Sequence, residues 1–186
     1  LPLSESCEVC IIGLGYVGLP LAVEISKTKK CKFTGKNLSR NVIGFDISEK
    51  RLNELKAGID ITKELTEEEI LTAGIFNYTS DAKIIINADI YIVTVPTPID
   101  SANKPDLRAL KNATRIIGEA LPKREKESLP IIVYESTVFP GATEEICVPI
   151  IEEYSGLKFN EEFFCGYSPE RINPGDKLHN LNTVIK

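Results

Sequence analysis

Glu8-Val-Cys-Ile-Ile12 followed by Gly13-Leu-Gly15-Tyr-Val-Gly18 is the stretch that decides the fold. Glu8 to Ile12 reads as a short apolar strand, and the glycines follow the G-x-G-x-x-G spacing of a strand-to-helix turn. Each glycine has its own physical reason. Gly13 permits a sharp turn, Gly15 lets backbone approach a diphosphate, and Gly18 lets the next helix lie close on the sheet. Tyr16 and Val17 occupy the same turn, where unsatisfied amides and the positive end of a helix dipole face an anion. A plain tight connection fits the spacing too. The strand before the turn and the amphipathic run after it favour dinucleotide binding.

Working outward, Val42-Ile-Gly-Phe-Asp46 reads as the second strand, and Asp46 at its end is placed to accept hydrogen bonds from the hydroxyls of an adenosine ribose. The separation 46 − 18 = 28 exceeds the usual spacing of about 20. Lys27, Lys29, Lys30, Lys32, Lys36 and Arg40, with no acid among them, account for the excess as an inserted surface loop. A carboxylate at Asp46 repels a 2′-phosphate, so NAD is expected over NADP. Arg51 has two open readings: a contact on the adenosine side, or an exposed helix arginine.

Elsewhere short β-rich runs alternate with amphipathic stretches, the pattern of βαβ units. Strands are expected at 90–95, 130–134 and 163–167, and helices at 16–29, 48–57, 106–121 and 142–154, the last kinked by Pro149. Asp106 is expected to cap its helix, and Thr66 with Glu69 makes a capping box. The fold class is therefore α/β: a Rossmann-like, doubly wound, mainly parallel six-stranded sheet with helices on both faces. Residues 1–175 are expected to form one NAD-binding domain, with 176–186 opening a linker.

Composition agrees and excludes other classes. The chain has 186 residues, 42% hydrophobic and 26% charged, with 22 basic against 27 acidic side chains. A chain of this length buries about 70% of its unfolded surface and needs no staples. Its acidic balance argues against nucleic acid or an anionic membrane as partner. No apolar run approaches the ~20 residues of a membrane helix, and no basic-then-apolar leader opens the chain, so a cytoplasmic location is expected. Five scattered cysteines fit reduced thiols. Cys7 and Cys10 lack a second pair for zinc, so no metal site is expected. Cys147 and Cys165 read as buried small hydrophobes, and Cys31 sits among lysines able to lower its pKa. A chain with no Met that begins at Leu1 is expected to be a trimmed fragment.

Four blocks resemble the UDP-glucose/GDP-mannose dehydrogenase family: Gly13-Leu-Gly-Tyr-Val-Gly-Leu-Pro20, Thr94-Val-Pro-Thr-Pro98, Tyr134-Glu-Ser-Thr-Val-Phe-Pro-Gly141 and Tyr167-Ser-Pro-Glu-Arg-Ile-Asn-Pro-Gly-Asp176. The last two are worded most like members of the Vi-antigen type, which oxidise UDP-N-acetylglucosamine or UDP-N-acetylgalactosamine. The resemblance implies oxidation of a sugar's primary alcohol to a carboxylate with two NAD, through a cysteine-bound thiohemiacetal and thioester, for surface polysaccharide precursors. It places Gly13, Gly15, Tyr16, Val17 and Gly18 at the pyrophosphate, and Asp46 and Arg51 on the adenosine half. Val95 falls among the cofactor contacts, and Thr97 lines the nicotinamide ribose region. Thr137 resembles a threonine that positions a catalytic water, and Glu170 a glutamate that assists thioester hydrolysis. Arg171 and Ile172, with Glu170, would touch the nucleotide sugar. Thr97 as a turn former, Thr137 as a cap and Glu170 as a surface partner of Arg171 remain open readings.

The family's Gly-Gly-His-Cys-like segment and its lysine-bearing central helix have no counterpart in these 186 residues. The resemblance therefore implies the N-terminal NAD-binding part of a UDP-sugar dehydrogenase: able to bind cofactor, inactive alone, monomeric by itself and homodimeric as part of its parent. Two alternatives stand beside it: a different Rossmann dehydrogenase of β-hydroxyacid type, and a non-catalytic NAD-sensing module.

Overall fold

The computed structural model describes residues 1–75, 77–99 and 103–169. Glu170, Arg171, Ile172 and the expected boundary at 175/176 lie outside the described residues. Six parallel strands run β1 Glu8–Ile12, β2 Asn41–Phe45, β3 Asn77–Thr79, β4 Ile90–Val93, β5 Ile131–Tyr134 and β6 Phe164–Tyr167, in the spatial order β3-β2-β1-β4-β5-β6. The order reverses between β1 and β4, whose register pairs Ile12 with Val93. Crevices at such switch points, outside the carboxyl ends of the strands, are where open α/β sheets take ligands.

Val9, Cys10, Ile11 and Ile12 are all buried, as a central strand covered on both faces requires. One core cluster unites Cys10, Ile12, Phe45, Tyr91, Val93, Ile117, Ile132, Tyr134 and Ile151 with helices α4 (Arg108–Ala120) and α5 (Val148–Ser155). The other unites Val9, Ile11, Val42, Leu19, Leu52 and Ile70 with α1 (Gly18–Lys27), α2 (Glu49–Lys56) and α3 (Glu67–Leu71). The strand alternation divides the sheet's two faces between the two helix layers. In α4 the buried residues Leu110, Ala113, Thr114, Ile117 and Gly118 recur at helical spacing. A Cβ on Gly118 would stand 2.9 Å from Tyr154 Cβ, so this glycine sets how closely α5 crosses α4.

Local chemistry sets the helix ends. Ser48 Oγ accepts the Arg51 amide at the start of α2, and Thr66 and Glu69 complete the expected capping box of α3. Several boundaries shift. Helix α1 begins at Gly18 rather than Tyr16 because residues 15–17 form the turn itself; Leu19 N–H is already bonded to the Gly15 carbonyl. Strand β4 stops at Val93, since Thr94 turns toward the glycine loop and Pro96 has no amide to pair. Leu107, not Asp106, is the N-cap of α4, although Asp106 Oδ1 still accepts the Arg108 amide at 3.0 Å. The last helical stretch opens as a π-turn over Thr143–Cys147, with Val148 N–H reaching back to the Thr143 carbonyl just before Pro149. Pro149 thus marks a change of helical pitch. Strand β3 escapes hydrophobic patterning because it is three half-buried residues at the sheet's edge.

The basic run folds as a hairpin, with Lys30 bridged to Asn37 and Phe33 at 99% exposure near its tip. Among the described residues no helix is long and apolar enough to cross a membrane, and all five cysteines are free.

At the edge opposite the switch-point crevice, Asp89 gathers the strand starts. Its carboxylate accepts the Glu8 amide and Lys126 Nζ at 2.9 Å each, and Ser128 Oγ at 2.8 Å. Arg124 Nη2 stands 3.3 Å away, and both side chains are under 10% exposed. Burial opposes ionisation of Asp89, but hydrogen bonds from the Glu8 amide, Lys126 and Ser128 outweigh it and lower its pKa below 3.8. Because the folded-state value is depressed, the stabilisation is full above the unfolded value of 3.8 and is lost as pH falls through the folded one. Asp89→Asn should cost about 3 kcal/mol at neutral pH, with the deficit shrinking below pH 3.8, as measured by urea unfolding across pH.

Candidate functional site

Leu14, between the first two glycines, is held from both sides. Its N–H donates to Asp46 Oδ2 at 2.9 Å, and its carbonyl accepts Arg51 Nε at 2.8 Å. The side chain is fully buried in the core. Asp46 Oδ1 also accepts the Ser48 amide at 2.9 Å, so this carboxylate organises both the glycine loop and the start of α2. Arg51, 7% exposed, is tied by Nη2 to Asp60 Oδ1 at 2.8 Å.

The three glycines do three different things. Gly13 has φ +95, a backbone that side chains rarely adopt, and its amide bonds the Phe45 carbonyl. A Cβ on Gly18 would lie 1.9 Å from the Gly13 carbonyl oxygen and 2.3 Å from Thr94 Oγ1. Thr94 takes up the space that glycine leaves, donating to the Gly13 carbonyl at 2.6 Å and tying the loop after β4 to the glycine turn. Gly15 differs: a Cβ there meets nothing within 4 Å. Its missing side chain serves open space. Helix α1 starts with no side-chain cap and no acid in its first turn, leaving its amide end to an anion.

Two cavities flank Gly15. One, of about 410 Å³, runs between Asp46, Ser48 and Arg51 on one side and Asn112 and Ile116 of α4 on the other. The second, of about 310 Å³, is bounded by Tyr16, Val17, Thr97, Glu135 and Thr137. They share Gly15, Thr94, Val95 and Pro96. The site is thus a two-lobed cleft with an anion-receptive turn at its waist, matching two nucleosides joined by a diphosphate.

Gly13, Gly15, Asp46, Arg51 and Val95 line the first lobe, and Gly15, Tyr16, Val17, Val95, Thr97 and Thr137 the second. Gly18 stands behind the turn as its packing partner. Thr97 Oγ1 donates to the Thr137 carbonyl, so the two loops meet across the mouth of the second lobe. Arg51 is no exposed helix arginine. Ser136 Oγ donates to the Val95 carbonyl at 2.9 Å and steadies the same rim. Asp60, Thr94 and Ser136 escape sequence reading, because their partners lie 9, 81 and 41 residues away.

The cysteines stay out of both lobes. Burial raises the Cys147 thiol's pKa and pushes Cys165 to about 12, though Cys165 is half-buried rather than buried. Cys31 is lowered as expected, but by hydrogen bonds with the Thr34 side chain and then the Thr34 and Phe33 backbone, not by lysines. Among the described residues no group of three or more metal-ligating side chains occurs.

Residues 7–185 match the family model described as UDP-glucose/GDP-mannose dehydrogenase family, NAD binding domain. The chain belongs to this family. It is 48% identical over 182 residues to UDP-N-acetyl-D-glucosamine 6-dehydrogenase of Salmonella typhi and 49% to that of Pseudomonas aeruginosa, covering 98% of this chain and 39% of each relative. It therefore spans about two fifths of the curated relatives it matches. A ternary complex of GDP-mannose dehydrogenase from Pseudomonas aeruginosa superposes with TM-score 0.76 at 28% identity, over 89% of this chain and 36% of that one. A UDP-glucose dehydrogenase from Pyrobaculum islandicum gives 0.76 at 26%, over 96% and 39%.

The cleft fits the family's cofactor, NAD, on its own geometry: two lobes meet at the open space beside Gly15 and the uncapped start of α1. Substitutions at two glycines separate binding from folding. Gly15→Ala should stay within about 1 kcal/mol of the parent by thermal unfolding while NAD binding falls by about tenfold or more in calorimetry. Gly18→Ala should lose about 3 kcal/mol or more of stability, because a backbone carbonyl and Thr94 must both move.

Proposed function

We propose that the chain is the cofactor-binding part of an NAD-dependent UDP-N-acetylhexosamine 6-dehydrogenase, acting in the cytoplasm on precursors of surface polysaccharide. The observation that carries the reading is the two-lobed cleft at the β1/β4 switch point, with its uncapped helix start and the open space at Gly15. The substrate class rests on relatives about half identical to the chain that are named UDP-N-acetyl-D-glucosamine 6-dehydrogenases. The residues beyond 175 would lead toward the remaining part, which supplies the nucleophilic cysteine, the lysine and the dimer contacts.

Overall, a primary alcohol, water and two NAD⁺ give a carboxylate, two NADH and three protons. The bound nicotinamide supplies the hydride acceptor. Asp46 would hold the adenosine ribose, the amides around Gly15, Tyr16 and Val17 the diphosphate, and Val95 and Thr97 the nicotinamide ribose. Thr137, exposed at the carboxyl end of β5, would orient the hydrolytic water, and Glu170 would take its proton. Arg171 and Ile172 would contact the sugar nucleotide.

This division of labour has a kinetic signature. In the longer protein, Glu170→Gln should still release its first two NADH per site in a rapid burst, then turn over about 10²–10⁴-fold more slowly. Stopped-flow absorbance of NADH reads both phases, and unchanged steady-state turnover would remove Glu170 from the hydrolytic step. Substrate profiling across UDP-hexoses and their N-acetyl forms tests the substrate class. Failure of the longer protein to oxidise any of them would favour a non-catalytic NAD-binding module.

A further inference from the structure

Arg51 poses a problem for a site that takes NAD. A buried guanidinium beside the carboxylate assigned to the adenosine ribose is the side chain that commonly accommodates the 2′-phosphate of NADP. Nε is spent on the Leu14 carbonyl and Nη2 on Asp60, but Nη1 is buried with no hydrogen-bond partner among the described residues. Arg51 lines the first lobe together with Asp46, Ser48 and Thr62. Left to itself, this group would draw a second phosphate into the lobe.

Asp60 answers it. Its side chain is fully buried, 2.8 Å from Arg51 Nη2. The same carboxylate accepts the amides of Thr62, Glu64 and Leu65 and the Thr62 hydroxyl, so the loop over 60–65 is folded around it. Burial works against its charge, but the bonds from Thr62 and Arg51 outweigh this and hold its pKa below the ordinary value. The Arg51–Asp60 pair is neutral as a unit, and Asp46 leaves this wall of the lobe with one net negative charge.

We propose that Asp60 is a cofactor-specificity residue: by neutralising and orienting Arg51 it leaves a lobe that accepts an adenosine ribose with a free 2′-hydroxyl and rejects a 2′-phosphate. Nη1 then serves as a donor to an uncharged acceptor of the adenosine. The proposal rests on the dinucleotide reading of the cleft, and its test separates the two.

ADP-ribose, its 2′-phosphorylated form, NAD and NADP are titrated calorimetrically into the parent protein, Asp60→Asn and Asp60→Glu. The parent should prefer ADP-ribose over the 2′-phosphate form by about 100-fold. Asp60→Asn should narrow that preference by about tenfold or more, through a salt-sensitive gain for the phosphorylated ligand, with ADP-ribose itself changed less than about threefold. Asp60→Glu should keep the parental preference. An unchanged preference in an Asp60→Asn protein that binds ADP-ribose normally overturns the proposal and leaves the dinucleotide reading standing. A parent that binds neither ADP-ribose nor NAD overturns both. Should Asp60→Asn fail to fold by circular dichroism, the paired variant Arg51→Gln with Asp60→Asn decides, since it removes both charges and leaves the net charge of the wall unchanged. With Arg51 already neutralised, loss of the pair moves the ratio less than about threefold, whereas a further drop of tenfold or more for the phosphorylated ligand sinks the proposal.

Discussion

The site depends on one residue's backbone being gripped from both ends. Asp46 takes the Leu14 amide and Arg51 takes its carbonyl, which fixes the peptide planes on either side of Leu14 and so the approach to Gly15. A glycine-rich turn is flexible by nature, and an anion site built from amides works only when those amides already point at the anion. Two charged side chains, one just past the end of β2 and one on α2, supply that preorganisation, and the buried Leu14 side chain anchors it to the core. The charges are doubly employed: they shape the turn, and they stand where an adenosine ribose would lie.

The lower edge of the sheet complements this. Asp89 ties the starts of β1 and β4 together and reaches the segment before β5 through Lys126 and Ser128. With the strand starts fixed there, the carboxyl ends can carry loops of irregular backbone without loss of register. Thr94 and Ser136 then lash those loops to one another rather than to solvent. The cleft is a gap between two rims, each braced from behind.

Much of this was legible in the residues. Five of the six strands, the glycine loop with its separate glycine roles, Asp46 and the capping box of α3 follow from local patterning, because each depends on neighbours within a few positions. Strand β3 does not: Asn77-Tyr-Thr79 is too short and too polar to differ from a turn, and becomes a strand only because Ile43 to Phe45 offer it an edge. The bracing of the site was equally hidden. Whether Arg51 faces solvent or the glycine loop turns on Leu14, which lies 37 residues away, and no periodicity carries that information. The lowered pKa of Cys31 has a source that composition does not carry: the lysines are visible in the sequence, but the turn that brings Thr34 to the thiol is not.

The basic hairpin between α1 and β2 closes on itself: Leu38 N–H meets the Lys29 carbonyl, and Cys31 N–H the Lys36 carbonyl, both at 2.9 Å. Its two feet are therefore held together independently of what lies between them. Such a closed ring can grow, shrink or change its chemistry without tugging on the crossover that places Asp46, since loop-closure entropy varies only slowly with length. Selection is free to rewrite the tip, Phe33 included, while the coenzyme cleft stays as it is.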